Sequence, residues 1–296
     1  MSNNSITPFG DLGKPANTLI EKISDAVGGV FKPFQIIRVA HAEVEADRIR
    51  AVGQIQITDL ERRAMRRLFE EEAKRQSNIE SITEKALPLL EEKSAPENME
   101  DDWITNFFDK SRIVSDADMQ QLWSRVLAGE ANTPGSFSKR TVNLLADLDK
   151  SDAQLFTNLC GFGWMIGTLT PLVTDISTVH EFELYNRCGI TFDALTHLET
   201  LGLTRLVAVG NFTRMRMPKT YTVYYFGRSV ELTFPMDSQN TLSVGQVLLT
   251  NAGLQLAPFC GAKPVEGFFE FVCEKWEKES LIPKTSASPF GSQAAI

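Results

Sequence analysis

The chain runs to 296 residues, room for about two domains that each bury a core. A hydrophobic share of 43% and a charged share of 23% are those of an ordinary soluble globular protein. The formal net charge of −8 argues against a protein that coats nucleic acid, because such proteins concentrate lysine and arginine to displace counterions from phosphate.

In chain order, residues 1–14 are polar and turn-rich and read as a flexible leader. Pro15 suits a first helical turn, and Leu19, Ile20, Ile23, Val27, Val30, Phe31 and Phe34 follow at helical steps, interrupted by Gly28-Gly29 and Pro33. From Gln35 to about Glu92 the chain is strongly charged and helical. Thr58 with Glu61 and Ser77 with Glu80 both match a capping box, so this is either one long helix or several short ones. The apolar seams Ile57–Leu60–Ala64–Leu68 and Ile79–Ile82–Ala86–Leu89 are too short for a sustained coiled coil. Residues 15–95 are therefore expected to form an extended N-terminal helical arm.

After a linker at Pro96, residues 96–150 read as a central helical unit. Asp101 and Asp102 open a helix carrying Trp103, Ile104, Phe107 and Phe108. Asp116 opens another with Leu122, Trp123, Val126 and Leu127, which Gly129 is expected to close. Pro134-Gly135 make a turn, and Ser136 or Ser138 starts the helix of Val142, Leu144, Leu145 and Leu148. Ser151 with Gln154 looks like a further capping box.

Residues 151–282 hold the most informative pattern. Thr191–Leu201 is an amphipathic helix stopped by Gly202. Leu203–Val209, Tyr221–Phe226 and Leu242–Leu249 read as strands, and Thr250 caps a second helix. Helix, three strands and helix in that order predict a winged-helix-like α+β domain. Phe268–Trp276 give a final helix, and residues 283–296 read as a disordered tail. The fold class expected is mainly α with a C-terminal α+β winged-helix-like domain.

No cofactor or metal is expected. Cys160, Cys188, Cys260 and Cys273 are scattered, His41, His180 and His197 lie near no paired cysteines, and zinc needs closely paired ligands. Gly161, Gly163 and Gly167 follow a helix where a phosphate cradle would follow a strand, and no lysine ends the run. No serine or cysteine stands with a histidine in a catalytic motif, so an enzyme is not expected. Residues 153–174 lack charge, but glycine, proline and threonine dilute them, and a buried helix ending near Gly161 with a core segment after it explains them better than a membrane span. Without a signal peptide pattern, a reducing cytoplasm is expected.

Two basic clusters remain as binding surfaces. Arg62, Arg63, Arg66 and Arg67 form a cationic strip on the arm, although Glu70 and Glu71 stand where helical ion pairs form with Arg66 and Arg67. Arg214, Arg216 and Lys219, with Arg205 and Arg228 on adjoining strands, fall where a wing would touch DNA. Against DNA, the helix that would read base edges carries Asp193 and Glu199 with no lysine or arginine. Residues 150–282 hold ten basic against thirteen acidic side chains, a local net of −3.

The runs GKPANTLIEKISDAVGGVF, ENMEDDWITNFFDK and LWSRVLAGEANTPGSFSKRTVNLLADLDKSDAQLF resemble an uncharacterised bacterial family known only as a domain of unknown function, over about Gly13 to Trp276. The resemblance implies a bacterial or phage-borne intracellular protein, among mobile or antiviral defence cargo, and carries over no catalytic residue. The LWSRVLAGE segment with its PGSFSKRT continuation also has a purely structural reading, as a helix end, a turn and a helix start. The function expected is a non-enzymatic interaction or regulatory protein, a homo-oligomer joined through the arm. A DNA-binding regulator is the alternative, and a membrane-associated effector acting through Leu19–Phe34 the second; the charges there nearly cancel, which disfavours a membrane surface.

Overall fold

The computed structural model describes residues 13–27, 58–174, 179–207 and 209–282. The readings at residues 1–12, Gly28-Gly29, Val30, Phe31, Pro33, Phe34, all of 35–57 and the 283–296 tail lie outside these residues. The chain divides into two compact units, Met1–Lys150 and Ser151–Ile296. It is mostly helical, with a small antiparallel sheet region in the C-terminal half.

The first unit contains α1 (Lys14–Val27), α2 (Asp59–Ala86), α3 (Asp101–Ser111), α4 (Ala117–Asn132) and α5 (Lys139–Ala146). Helix α1 buries Ala16, Leu19 and Ile23 and packs on α3, where Lys22 Nζ reaches the Met99 carbonyl and the Asp101 carboxylate at 3.3 and 2.7 Å. Trp103, Phe107 and Trp123 form the centre, with ring centroids 5.1 Å apart in both contacts. The second half of α2 buries Ile79, Ile82 and Ala86 against α4. A polar knot fixes that contact. Asn78 Nδ2 donates to the Arg112 carbonyl at 2.8 Å, and Gln120 Nε2 donates to Asn78 Oδ1 at 3.3 Å and to the Val114 carbonyl at 2.9 Å.

Helix α2 is one continuous helix of 28 residues. The Thr58–Glu61 capping box forms, with the Thr58 N–H on Glu61 Oε2 at 2.8 Å and the Glu61 N–H on Thr58 Oγ1 at 3.3 Å. The Ser77–Glu80 box does not. Ser77 sits mid-helix, where the donors it would cap already bond within the helix, and Glu80 accepts from Gln76 Nε2 at 2.8 Å instead. Gly129 does not end α4, which continues to Asn132 because Ala128 and Ala131 are both buried in the core. Ser151 is likewise no cap, since its helix starts one residue earlier.

The second unit opens with α6 (Lys150–Cys160), followed by the hairpin β1 (Gly163–Ile166) and β2 (Thr168–Pro171), then α7 (Val179–Asn186) and α8 (Phe192–Thr200). Strands β3 (Thr204–Leu206), β4 (Thr213–Met217), β5 (Thr220–Tyr225), β6 (Arg228–Thr233), β7 (Asn240–Ser243) and β8 (Val247–Leu249) lead to α9 (Asn251–Leu256) and α10 (Phe268–Lys278). The strands order as β2-β1-β5-β6, β3-β8 and β4-β7. Thr191 caps α8 on the Ala194 N–H at 3.2 Å, Gly202 ends it at φ 82°, and Thr250 caps α9 on the Gly253 N–H at 3.1 Å.

Among the described residues, the three expected strands become eight. The segment after Gly161 is the β1–β2 hairpin, and the strand expected over Leu203–Val209 is only Thr204–Leu206. Leu242–Leu249 is cut in two at Gly245. There φ is 85°, and the Val173 carbonyl occupies the space a Cβ would take. Trp164, Tyr225, Phe268, Phe269 and Trp276 build the core against α10, with the Trp164 and Trp276 rings 4.8 Å apart.

Candidate interaction surfaces

Every residue from Thr58 to Lys74 on α2 is exposed. At about 100° per residue, Leu60, Ala64, Met65, Leu68 and Phe69 share one half of the helix circumference and Arg62, Arg63, Arg66 and Arg67 the other. Leu60 is 69% and Leu68 58% exposed, an uncommon display for two leucines on one stripe. The arginines are held along their own helix: Arg62 to Asp59 at 3.1 Å, Arg66 to Glu70 at 2.9 Å and Arg67 to Glu71 at 3.5 Å. Arg63 forms no ion pair among the described residues. Such pairs are screened and cheap to exchange, so the strip stays able to meet a carboxylate elsewhere.

The basic residues of the second unit do not form one strip. Arg214 Nη1 donates to the Ile166 carbonyl, and its guanidinium covers Gly167, where φ is 76° and a Cβ would collide with it. Lys219 Nζ pairs with Asp237 at 3.0 Å. Arg228 Nη1 pairs with Glu270 at 2.8 Å, and its Cζ lies 3.4 Å from the centre of the Phe269 ring. That pair holds the Glu270 carboxyl below its ordinary value, chiefly through the hydrogen bond from Arg228. Arg205 on β3 and Arg216 at the β4 bulge, with φ 60°, remain exposed. Consecutive strands β4 and β5 do not pair with each other; β4 pairs with β7 and β5 with β6, which sends these cations to different neighbours. On α8, His197 Nε2 lies 2.8 Å from Asp152 Oδ1, and Glu199 Oε1 accepts the Leu206 N–H at 2.9 Å. Two of its polar side chains thus tie it to α6 and to β3.

Sequence reasoning missed Glu130. It is 3% exposed, and its two carboxylate oxygens accept the backbone N–H groups of Gly135 and Phe137 at 2.7 and 2.9 Å. Burial pushes its pKa up, ahead of the opposing effect of those N–H groups. Phe137 is buried beside it, and its carbonyl accepts the Trp103 indole N–H at 2.8 Å. The signal in the sequence was an acid inside the apolar run Val126-Leu127-Ala128-Gly129-Glu130-Ala131, a few residues before a glycine turn that frees backbone donors.

A family model described as Protein of unknown function (DUF2806) matches residues 62–273. The chain belongs to this family. No curated protein and no solved structure matches it. The DUF2806 span starts within α2, ends within α10 and is narrower than Gly13–Trp276. It takes in the Glu130 loop, both basic clusters and Cys160, Cys188, Cys260 and Cys273. Within the matched span, Glu130 and Phe137 have a structural role in this chain: the carboxylate and the indole fix the turn between α4 and α5. Among the described residues no cluster of three or more His, Cys, Asp or Glu side chains could hold a metal, and no helix is long and apolar enough to cross a membrane.

Proposed function

We propose that this protein is a non-enzymatic interaction protein that self-associates through the opening turns of α2. The observation that carries this reading is an amphipathic helix surface exposed from Thr58 to Lys74, with leucines on it. The occupant it fits is a second copy of itself. About a twofold axis between Arg66 and Arg67, an antiparallel copy sets Ala64 level with Phe69 and Met65 level with Leu68. Arg63 and Glu70 lie on the far side of the helix from that apolar stripe and take no part in the contact. Glu61 against Glu72 is the like-charge crossing away from the axis.

In the second unit, the order α6, β2, α7, α8, β3, β8 supports a winged-helix reading in which residues 207–246 form an enlarged wing. The Gln246 N–H donates to the Val173 carbonyl at 2.7 Å, which brings the chain entering β8 beside the chain leaving β2. Protein contact is the use of this scaffold with more behind it. Of the five basic residues there, Arg214, Lys219 and Arg228 are engaged in contacts within the unit, and Arg205 and Arg216 are left to meet phosphate.

Light scattering after size exclusion tests the first reading. Full-length protein is expected to run as a defined dimer that Leu60→Asp with Leu68→Asp converts to a folded monomer. A monomeric wild type at micromolar concentration overturns it.

A further inference from the structure

We propose that Cys160 and Cys260 form a peroxide-oxidisable dithiol in the second unit, with Cys260 the attacking sulfur and Cys160 the resolving one. The two cysteine side chains lie within interaction range of each other, across the join between α6 and the segment after α9. Cys160 is the last residue of α6 and is 2% exposed, whereas Cys260 follows the 3-10 turn Ala257–Phe259 and is partly exposed. The two segments are knit around them. Thr157 Oγ1 donates to the Cys260 carbonyl at 3.3 Å. Gly161 lets residues 263–265 pass so closely that a Cβ there would lie 2.9 Å from the Lys263 carbonyl oxygen and 3.1 Å from Val265 Cγ2.

The Cys160 thiol and the Ala262 N–H face the Cys260 sulfur as donors. They pull its pKa down to about 7, the Cys160 hydrogen bond most of all, against the opposing effect of burial. When protonated, the same sulfur donates to the Ala257 carbonyl at 3.1 Å. Cys160 is driven the other way, by its bond to Cys260 and then by burial. One sulfur is thus a nucleophile near neutral pH and the other a protonated reserve. Cys273 is held to about 11, mainly by burial, and stays a thiol.

The chemistry balances with hydrogen peroxide as oxidant. The Cys260 thiolate attacks one peroxide oxygen, the O–O bond breaks, and a sulfenic acid and hydroxide result; the hydroxide takes a proton to become water. Cys160 gives up its proton to water and its sulfur attacks Cys260, the S–S bond forms, and the S–OH bond breaks to leave hydroxide that is reprotonated. Two thiols and one peroxide yield one disulfide and two waters, a two-electron oxidation that a dithiol reductant reverses. The new bond, about 2.05 Å long, staples the end of α6 to the segment following α9. It involves no residue of α2, so it stands apart from self-association.

The test treats full-length protein with graded hydrogen peroxide, blocks remaining thiols with iodoacetamide and maps peptides by mass spectrometry without reductant. The expected result is a Cys160–Cys260 linked pair, lighter by two hydrogens and lost on adding dithiothreitol, while Cys188 and Cys273 stay alkylated. Without peroxide, Cys260 is expected to alkylate at pH 7 at least about tenfold faster than Cys273. In the Cys160→Ser protein, Cys260 stops at the sulfenic acid and is trapped by dimedone. The proposal falls if Cys160 and Cys260 remain reduced while other thiols oxidise, if all four stay reduced, or if Cys260 alkylates no faster than Cys273. The wild-type map decides this even where a variant fails to fold.

Discussion

The arginines of α2 and the basic residues between β3 and β6 are drawn from similarly dense clusters, yet they are held in different ways. On α2 each ion pair joins residues three or four apart on one helix, at exposed positions, and breaking it changes nothing beyond that turn. Arg214 and Arg228 reach residues 48 and 42 positions away, one onto a hairpin carbonyl and the other onto a carboxylate and an aromatic ring. Sequence spacing describes charge density equally well in both places. The range of the contact decides whether a cation is available to a partner.

Glu130 makes the contrast sharpest, since it is a buried carboxyl group with backbone donors on both oxygens. Glu130→Ala is expected to cost about 3 kcal/mol in urea unfolding, because the Gly135 and Phe137 N–H groups lose their acceptors. Glu130→Gln should cost less. The sign of the pH effect follows from a folded pKa raised by burial: the group's contribution to stability is full below the ordinary glutamate value and is lost as pH rises through the folded value. The deficit of Glu130→Gln relative to wild type should therefore shrink between pH 4 and pH 7. A deficit that grows over that range breaks the account.

Next in size is the arm. Met65→Asp should weaken self-association at least about tenfold, roughly 1.4 kcal/mol, with unfolding unchanged, because Met65 is exposed on the apolar half of the helix. Arg63→Glu, on the far side of the helix, should leave association unchanged by light scattering or native mass spectrometry. That difference distinguishes contact through the apolar stripe from a general effect of charge. On the other side of the comparison, Arg214→Ala is expected to lower stability by about 1 kcal/mol and leave association untouched, since a hydrogen bond from a charged donor to the Ile166 carbonyl is lost. A stability unchanged by Arg214→Ala would place that residue among the available cations.

What could be read in advance follows the same division between local and distant contacts. The Thr58, Asp116 and Thr250 caps, the Gly202 stop, and the buried aromatics of α3 and α4 were all legible, because each rests on neighbours within a few residues. Glu130, the β1–β2 hairpin and the Gly245 break were not. Glu130 is explained by backbone donors freed in the next turn. The hairpin is a short strand pair without polar alternation, and Gly245 is required by a Val173 carbonyl more than seventy residues upstream. The wing cluster was legible as charge, while its engagement at Ile166, Asp237 and Glu270 depended on pairings that spacing does not report.

The smallest expected effect separates two motifs that look alike. Thr58 and Ser77 each stand three residues before a glutamate, and both fit the same cap pattern. Thr58 has non-helical φ and ψ of −64° and 157°, and its side chain meets a donor with no partner inside the helix. Thr58→Ala should therefore cost about 1 kcal/mol, read most directly as faster amide exchange in the first turn of α2. Ser77 is exposed in the helix interior, where alanine is the better helix former, so Ser77→Ala should be neutral or stabilising by a few tenths of a kcal/mol. A Ser77→Ala protein that frays as Thr58→Ala does would mean that α2 breaks into two helices in solution. The exposed turns would then be a separate element, and their twofold register would no longer be anchored by the Asn78–Gln120 knot.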